Sequence, residues 1–221
     1  MAGIRAKRET TDLNSEDTLD PLVPRRPERA NGRKRFAVLL ASAEHILIEE
    51  GIDGLTIQRI SQIAKVPMAS VYHFFPSATA AAVAVAQSYF EAFRTSVASI
   101  ADDARVRPWR DVVASVMHKT VTFYREHPYA MRLIFGSDHS WKIREADVAN
   151  NAQMATDLSL SIGWHFLPGD NQRIEDVFAI AIGLTDAVWS LSVARHGTIT
   201  DDFATEAERA TQAYLACFER R

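Results

Sequence analysis

Between Thr56 and Pro76 the chain reads TIQRISQIAKVPMASVYHFFP, and its apolar positions fall into two short helical repeats. Ile57, Ile60, Ile63 and Ala64 recur at steps of three and four, so they share one face of a helix that the Thr56 hydroxyl can cap. Lys65, Val66 and Pro67 interrupt the repeat, because proline has no amide hydrogen and disfavours a helical residue before it. A second short helix begins near Met68 and closes at Pro76. Its Val71, Phe74 and Phe75 turn back onto the first, which leaves Ser70, Tyr72 and His73 pointing outward. Upstream, Phe36, Leu39, Leu40, Ala43 and Leu47 form the stripe of a longer helix from about Arg33 to Glu50, stopped by Gly51. Downstream, the pattern predicts a helix capped by Ser77 and running to about Ile100, then a charged break at residues 102–108. Further helices follow over Trp109 to His127, Tyr129 to Phe135, Trp141 to Phe166, Asn171 to Arg195 and Asp201 to Arg220. Pro168 and Gly169 punctuate the penultimate break, and the short connection at 196–200 makes the last two helices antiparallel neighbours. The expected fold class is all-α.

Residues 1 to 32 lack apolar periodicity and read as a disordered basic and polar tail, which cannot bury enough surface to offset the entropy of ordering. The full chain of 221 residues is 47% hydrophobic, enough for a packed core, and carries a formal charge of −3. Such a charge does not point to a protein that coats nucleic acid, so any DNA contact rests on local placement. Residues 1–77 hold 11 Lys+Arg against 10 Asp+Glu, and a basic run, Arg33, Lys34 and Arg35, sits where a phosphate contact would help. The single cysteine, Cys217, excludes an internal disulfide and is expected to be a packed thiol in a reducing cytoplasm. No run of about eighteen apolar residues is visible, so no membrane span is expected.

Two short helices joined by a tight turn, the second with an outward polar side, describe a helix-turn-helix whose second helix fits a DNA major groove. The block Phe36 to Ala78 resembles the DNA-binding domain of tetracycline-repressor-type (TetR) regulators. The resemblance rests on AEHILIEEGIDGLTIQRISQIAKV followed by SVYHFFPS: a long helix ending in glycine, a threonine before the second helix, a tyrosine in the third and a phenylalanine-proline-serine exit. Three positions depart from that pattern. Lys65 stands where the turn usually has glycine and has to adopt a left-handed conformation; Ser61 replaces an alanine; Ala78 replaces a lysine that grips phosphate. The resemblance implies a helix-turn-helix domain over residues 33–78 and a helical effector-binding and dimerisation domain over 79–221. In the DNA-binding set Ser70 donates to a base edge or phosphate, Tyr72 and His73 bond phosphates, and Pro67, Met68 and Ala69 offer apolar contact at the helix start. Thr56 anchors a phosphate at a helix start, and Gln58, Arg59 and Lys65 are further contacts beside the basic run.

The sequence has no GxSxG, GxxxxGK[ST], HExxH, CxxC or GxGxxG motif, and its seven histidines lack helical metal-ligand spacing. The expectation is therefore no catalysis, no metal and no cofactor, with His118 and His165 as core residues. The C-terminal half is rich in aromatics. By resemblance it holds a mostly apolar cavity for a small-molecule effector, with Met117, Phe123, Trp141, Trp164, Asp186 and Trp189 as candidates. Asp186 is singled out because FAIAIGLTDAVWSLSV surrounds one carboxylate with apolar residues. The resemblance further implies a homodimer paired through the two C-terminal helices, acting as a ligand-responsive repressor on a palindromic double-stranded operator. A helical protein–protein module that keeps the fold without DNA binding is the alternative, motivated by Lys65, Ala78 and the weak charge.

Overall fold

The first helix, α1 (Ala30–Gly54), buries Leu39, Ser42, Ala43, Ile46 and Leu47 along one side. Gly51 takes a left-handed φ of 72° and breaks the helical path before the last turn, as expected of a glycine stop. The computed structural model describes residues 20–136, 140–166 and 171–219, and among these there are nine α-helices and no strand. Short α2 (Ile57–Ala64) and α3 (Met68–Phe74) follow α1, and Phe36 of α1 meets Phe74 and Phe75 edge-on at 5.9 and 5.3 Å. The long α4 (Ala78–Asp103) starts at the expected cap, where the Ser77 hydroxyl accepts the Ala80 amide at 3.1 Å. Every residue from Ala80 to Ala86 is buried, so this part of α4 is enclosed on all sides, with α1 against it at one end and α5, α6 and α7 along the rest. The Tyr89 hydroxyl of α4 donates to Glu44 of α1 at 2.7 Å, and burial followed by that carboxylate pushes the phenol's pKa well up.

A 3₁₀ turn over Ala104–Val106 leads into α5 (Trp109–Glu126), α6 (Pro128–Phe135), α7 (Trp141–Ile162), α8 (Asn171–His196) and α9 (Asp201–Ala216). The helix expected over Trp141 to Phe166 is shorter: it ends at Ile162, a 3₁₀ turn covers Gly163–His165, and Phe166 forms an isolated antiparallel bridge with Glu219. Glu219 is also held by the Trp109 indole N–H at 2.9 Å and by Arg110 at 2.9 Å, which ties the end of the chain to α5. The expected breaking pair Pro168 and Gly169 lies outside the described residues, and the last helix, expected to reach Arg220, ends at Ala216, where the chain turns so that Glu219 can pair with Phe166. Between α8 and α9, Gly197 turns the chain at φ 70°, and the buried Ser192 hydroxyl donates to the Thr198 carbonyl while accepting the Thr200 amide.

Three expectations are corrected. Cys217 is exposed, because Leu215 takes the inner side of α9 and a residue two positions on falls on the opposite side. His118 is exposed on the outer side of α5, and His165 is only partly buried, stacked on Trp164 at 3.6 Å. Within α8 one window passes a length and composition test for a membrane span, with mean hydropathy 1.8, a test that a packed core helix also passes. No unbroken apolar run reveals it, since Thr185, Asp186 and Ser190 interrupt the string while the average stays high. In the fold α8 packs on α6, α7 and α9, and leaves Ile180, Gly183, Leu184, Ala187 and Leu191 exposed at steps of three and four along one face.

The third correction concerns the tail. Residues 1–19 lie outside the description, but residues 20–29 are laid against the body of the protein. The Arg25 amide donates to the Phe74 carbonyl at 2.8 Å, the Ser77 hydroxyl donates to the Pro21 carbonyl at 2.8 Å, and Pro24 is buried. Arg26 pairs with Glu91 of α4, and Asp20 reaches Lys142 of α7 at 2.8 Å. Individual exposed ion pairs contribute little, so the contacts that fix the segment are the two backbone-directed hydrogen bonds and the buried Pro24. A chain beginning at Ala30 is expected to be less stable than the full chain by about 1–3 kcal/mol, measured by thermal or urea unfolding. Equal stability would show that this segment lies on the surface without holding it.

Candidate nucleic-acid interface and internal cavity

The turn between α2 and α3 is held from within. Lys65 adopts the left-handed conformation expected at this position, with φ 53° and ψ 42°. Ser61 supports it, since its hydroxyl donates to the Val66 carbonyl at 2.7 Å and its carbonyl accepts the Val66 amide at 3.1 Å. Thr56 caps α2 by accepting the Arg59 amide at 3.1 Å. Val71 and Phe74 bury the inner side of α3. Its outer side is open: Pro67, Met68, Ala69, Tyr72 and His73 are exposed and Ser70 is half-buried. Arg35 of α1 lies beside this face, lining one shallow surface hollow with Ala69, Ser70 and His73.

The remaining candidates for this surface divide by how their charge is used. Thr56, Gln58, Lys65, Lys34 and Arg35 are exposed. Arg33 donates to the Glu28 carbonyl, and Arg59 is paired with Glu50 of α1. That pairing lowers the Glu50 carboxyl's pKa and raises the Arg59 guanidinium's, so Arg59 is partly engaged in holding α2 to α1.

Inside the larger helical part, α4, α5, α7, α8 and α9 surround a cavity of about 70 Å³. Phe93, Tyr124, Phe178 and Trp189 supply aromatic walls, with Met117, Met154 and Leu158 between them. The polar groups gather on one side. Arg144 donates to Asp147 at 2.6 Å, the Asn151 amide donates to Asp186 at 2.7 Å, and the Thr185 and Thr211 hydroxyls share a hydrogen bond of 2.7 Å. Arg94 of α4 donates to the Asn150 side-chain carbonyl at 3.1 Å, which links the long helix to the cavity wall. Trp189 is 3% exposed and its indole N–H has no hydrogen-bond partner. Burial pushes the Asp186 carboxyl up to about 7, with the negative charge of Asp147 adding to it, while the Asn151 bond and Arg144 pull the other way. A wider groove of about 360 Å³ adjoins the cavity through Val116, Met154 and Leu158, and Arg94 and Val97 of α4 line it.

Of the six residues proposed from sequence for such a cavity, Met117, Asp186 and Trp189 line it. Phe123 is buried beside it, and its neighbour Tyr124 takes the inward position, one residue being enough to rotate a helical side chain by about 100°. Trp141 and Trp164 are corrected: they are 64% and 53% exposed. Trp141 is the first residue of α7 and lies under Lys142 at 4.3 Å, and Trp164 sits in the 3₁₀ turn stacked on His165, both at ends where the helices give no inward face.

The region over residues 107–219 matches the model of the tetracycline repressor-like C-terminal domain, and residues 39–87 match that of the bacterial regulatory proteins of the tetR family. The chain belongs to the TetR family of transcriptional regulators. Its all-α fold, with an N-terminal helix-turn-helix and a C-terminal helical domain, is that family's. A TetR-family transcriptional regulator from Streptomyces coelicolor superposes with a TM-score of 0.64 at 24% identity, over 83% of this chain and 97% of that one. SmeT, the repressor of the Stenotrophomonas maltophilia multidrug efflux pump SmeDEF, gives 0.57 at 15% identity, over 83% and 90%. At these identities the likeness concerns the fold. The HTH-type transcriptional repressor NemR of Escherichia coli (strain K12) is 25% identical over 89 residues, 40% of this chain and 44% of that protein, so the match spans less than half of the curated relative.

For a TetR-family cavity, the sequence reading missed its polar side. Asp147, Asn150, Asn151, Met154 and Leu158 fall at steps of three and four on α7, so their spacing marks one face, and three of the five are polar in a helix that buries Ile143 and Ala155. Asp186 supplies a test through pH. A carboxyl whose folded pKa is raised keeps its proton in the native state between its ordinary value near 3.8 and about 7. Stability is therefore full below the unfolded value and falls as pH rises through that window. Asp186→Asn removes this slope, so its melting temperature minus that of the natural chain is expected to grow by several degrees from pH 5 to pH 8. A difference that stays constant across that range would place the carboxyl in water.

Proposed function

We propose that the chain is a homodimeric repressor that binds a palindromic DNA operator through α3 of each protomer and is released by a small apolar or aromatic molecule held in the cavity. The observation that carries this is the open outer face of α3, presented by a rigid left-handed turn at Lys65 and flanked by Arg35. In this reading residues 33–78 form the DNA-binding domain and 79–221 the ligand and dimer domain. Met68 and Ala69 approach thymine methyls, Ser70 a base edge, and Tyr72, His73 and Arg35 the phosphates. Thr56, Gln58, Lys65, Arg33 and Lys34 contact the backbone around them, with Arg59 secondary because of its bond to Glu50. The protein acts in the cytoplasm and no catalytic role is assigned to it.

The exposed stripe Ile180, Gly183, Leu184, Ala187 and Leu191 on α8 supports pairing with a second copy through α8 and α9. A twofold dimer sets its two recognition helices about 34 to 36 Å apart, one turn of the duplex. Effector binding then acts through α4, which lines both the cavity and the groove and bears the helix-turn-helix domain at its start. The coupling is of the order of 1 to 3 kcal/mol in such systems.

Two measurements test the two halves of the proposal. Selection of bound DNA from a random pool is expected to enrich a palindrome, and Tyr72→Ala is expected to weaken binding to it about tenfold or more. No enrichment by a folded dimer, at low salt, would favour the protein–protein module. Leu184→Asp places a charge in the apolar stripe of α8 and is expected to shift the chain to monomer in analytical ultracentrifugation. A variant that remains dimeric would move the interface elsewhere.

A further inference from the structure

The cavity's polar side leaves two chemical demands unmet. Among the described residues the guanidinium that acts on Asp186 is that of Arg144, and it is bonded to Asp147. Arg94, from the groove side, is bonded to Asn150. Asp186 therefore has an amide, from Asn151, as its direct partner where a largely buried carboxylate calls for a positive charge. The second demand is independent of the first and of opposite kind: the Trp189 indole N–H, one turn along α8 from Asp186, is buried in the cavity wall with no acceptor. Resting on the reading of this cavity as the effector site, we propose that its ligand is a small organic cation. It is a protonated amine on an aromatic or apolar body that also carries a hydrogen-bond acceptor, with its charge on Asp186 and its acceptor on the Trp189 N–H.

The surroundings discriminate among ligand charges. The groups facing Asp186 are Asp147, Asn151 and Arg144 from α7 and Tyr124 from α5; α4 presents Phe93, and α9 presents Thr211 and Leu215. An anion would face Asp147 and, above about pH 7, an ionised Asp186 as well. An uncharged ligand leaves Asp186 either protonated or ionised without a counter-charge. A cation takes the place of the proton, and the rings of Tyr124, Phe178 and Trp189 in the lining offer cation–π attraction to it. Binding then releases a proton in the pH range where Asp186 is protonated, near and below 7. The apolar body has room in the adjoining groove beyond Val116, Met154 and Leu158.

The test compares tyramine with two relatives of the same outline, 4-ethylphenol and 4-hydroxyphenylacetate, by calorimetry on the full chain at pH 6 and pH 8. Tyramine is expected to bind about tenfold or more tighter than either relative at pH 8. Its affinity is expected to rise about tenfold from pH 6 to pH 8, with a heat that depends on the buffer in the manner of proton release. Asp186→Asn is expected to erase both the charge preference and the pH dependence, and Trp189→Phe to weaken binding severalfold while leaving the pH dependence in place. Equal or tighter binding of 4-ethylphenol, unchanged tyramine binding by Asp186→Asn, or no binding of any of the three at millimolar concentration would each overturn the proposal. A parallel arm follows retention of selected DNA. Tyramine that binds without releasing DNA would leave the ligand class standing and overturn the effector reading. Release of DNA by an uncharged compound, lost in Trp189→Phe, would do the reverse.

Discussion

Seven consecutive residues of α4, from Ala80 to Ala86, are buried, and a helix enclosed on every side has to be thin. Alanine and valine at these positions let neighbouring helices approach its backbone closely, and alanine keeps helix propensity high where no amphipathic pattern is available to guide folding. The rest of the structure depends on this close approach. On one end of α4, α1 packs and is bonded through Tyr89 and Glu44; farther along, α5, α6 and α7 do. A larger side chain among these positions would have to push apart elements belonging to both halves of the molecule, so α4 is at once the core of the fold and its connection.

That enclosure also explains why the cavity sits where it does. The unbroken run of small buried residues ends at Ala86, and from Tyr89 onward the buried positions of α4 carry large rings, Tyr89, Phe90 and Phe93, with Arg94 next to them. Beyond the tightly packed stretch the helices cannot close to the same distance, and the space between α4, α5, α7 and α8 is filled partly by aromatic rings and partly left open. Arg94 lies at this transition. Its bond to Asn150 makes the same helix that supports the helix-turn-helix a lever with one polar contact on the cavity wall.

Much of this was legible in the chain, and what was not has a physical reason. Local rules governed the helix-turn-helix: the Thr56 cap, the Pro67 break, the Ser77 cap and the left-handed Lys65 depend on neighbours within a few residues, and each stands as the sequence indicates. The helix count and the antiparallel α8 and α9 were equally clear from periodicity and a short connection. Non-local facts were not legible. Asp186 and Trp189 could be singled out because one is an odd residue in an apolar string and the other a large ring in its midst. Trp141 and Trp164 look no different in sequence and are placed outside by helix ends. The polar partners Asp147, Asn150 and Asn151 belong to α7, whose pattern alone does not distinguish a polar face turned to water from one turned to a cavity. The segment at 20–29 was opaque for the same reason, since its partners stand on three different helices far along the chain.

That segment touches the end of α3, the start and middle of α4, and the beginning of α7, and so crosses the junction between the two halves. It works as a brace across a joint. Whatever is attached to or cut from the chain ahead of Ala30 thus acts on the mechanical stiffness of that joint, and purification tags at the two ends of the protein are not equivalent choices. A handle at the C-terminus stands apart from these contacts, whereas one at the N-terminus is joined to the segment that makes them.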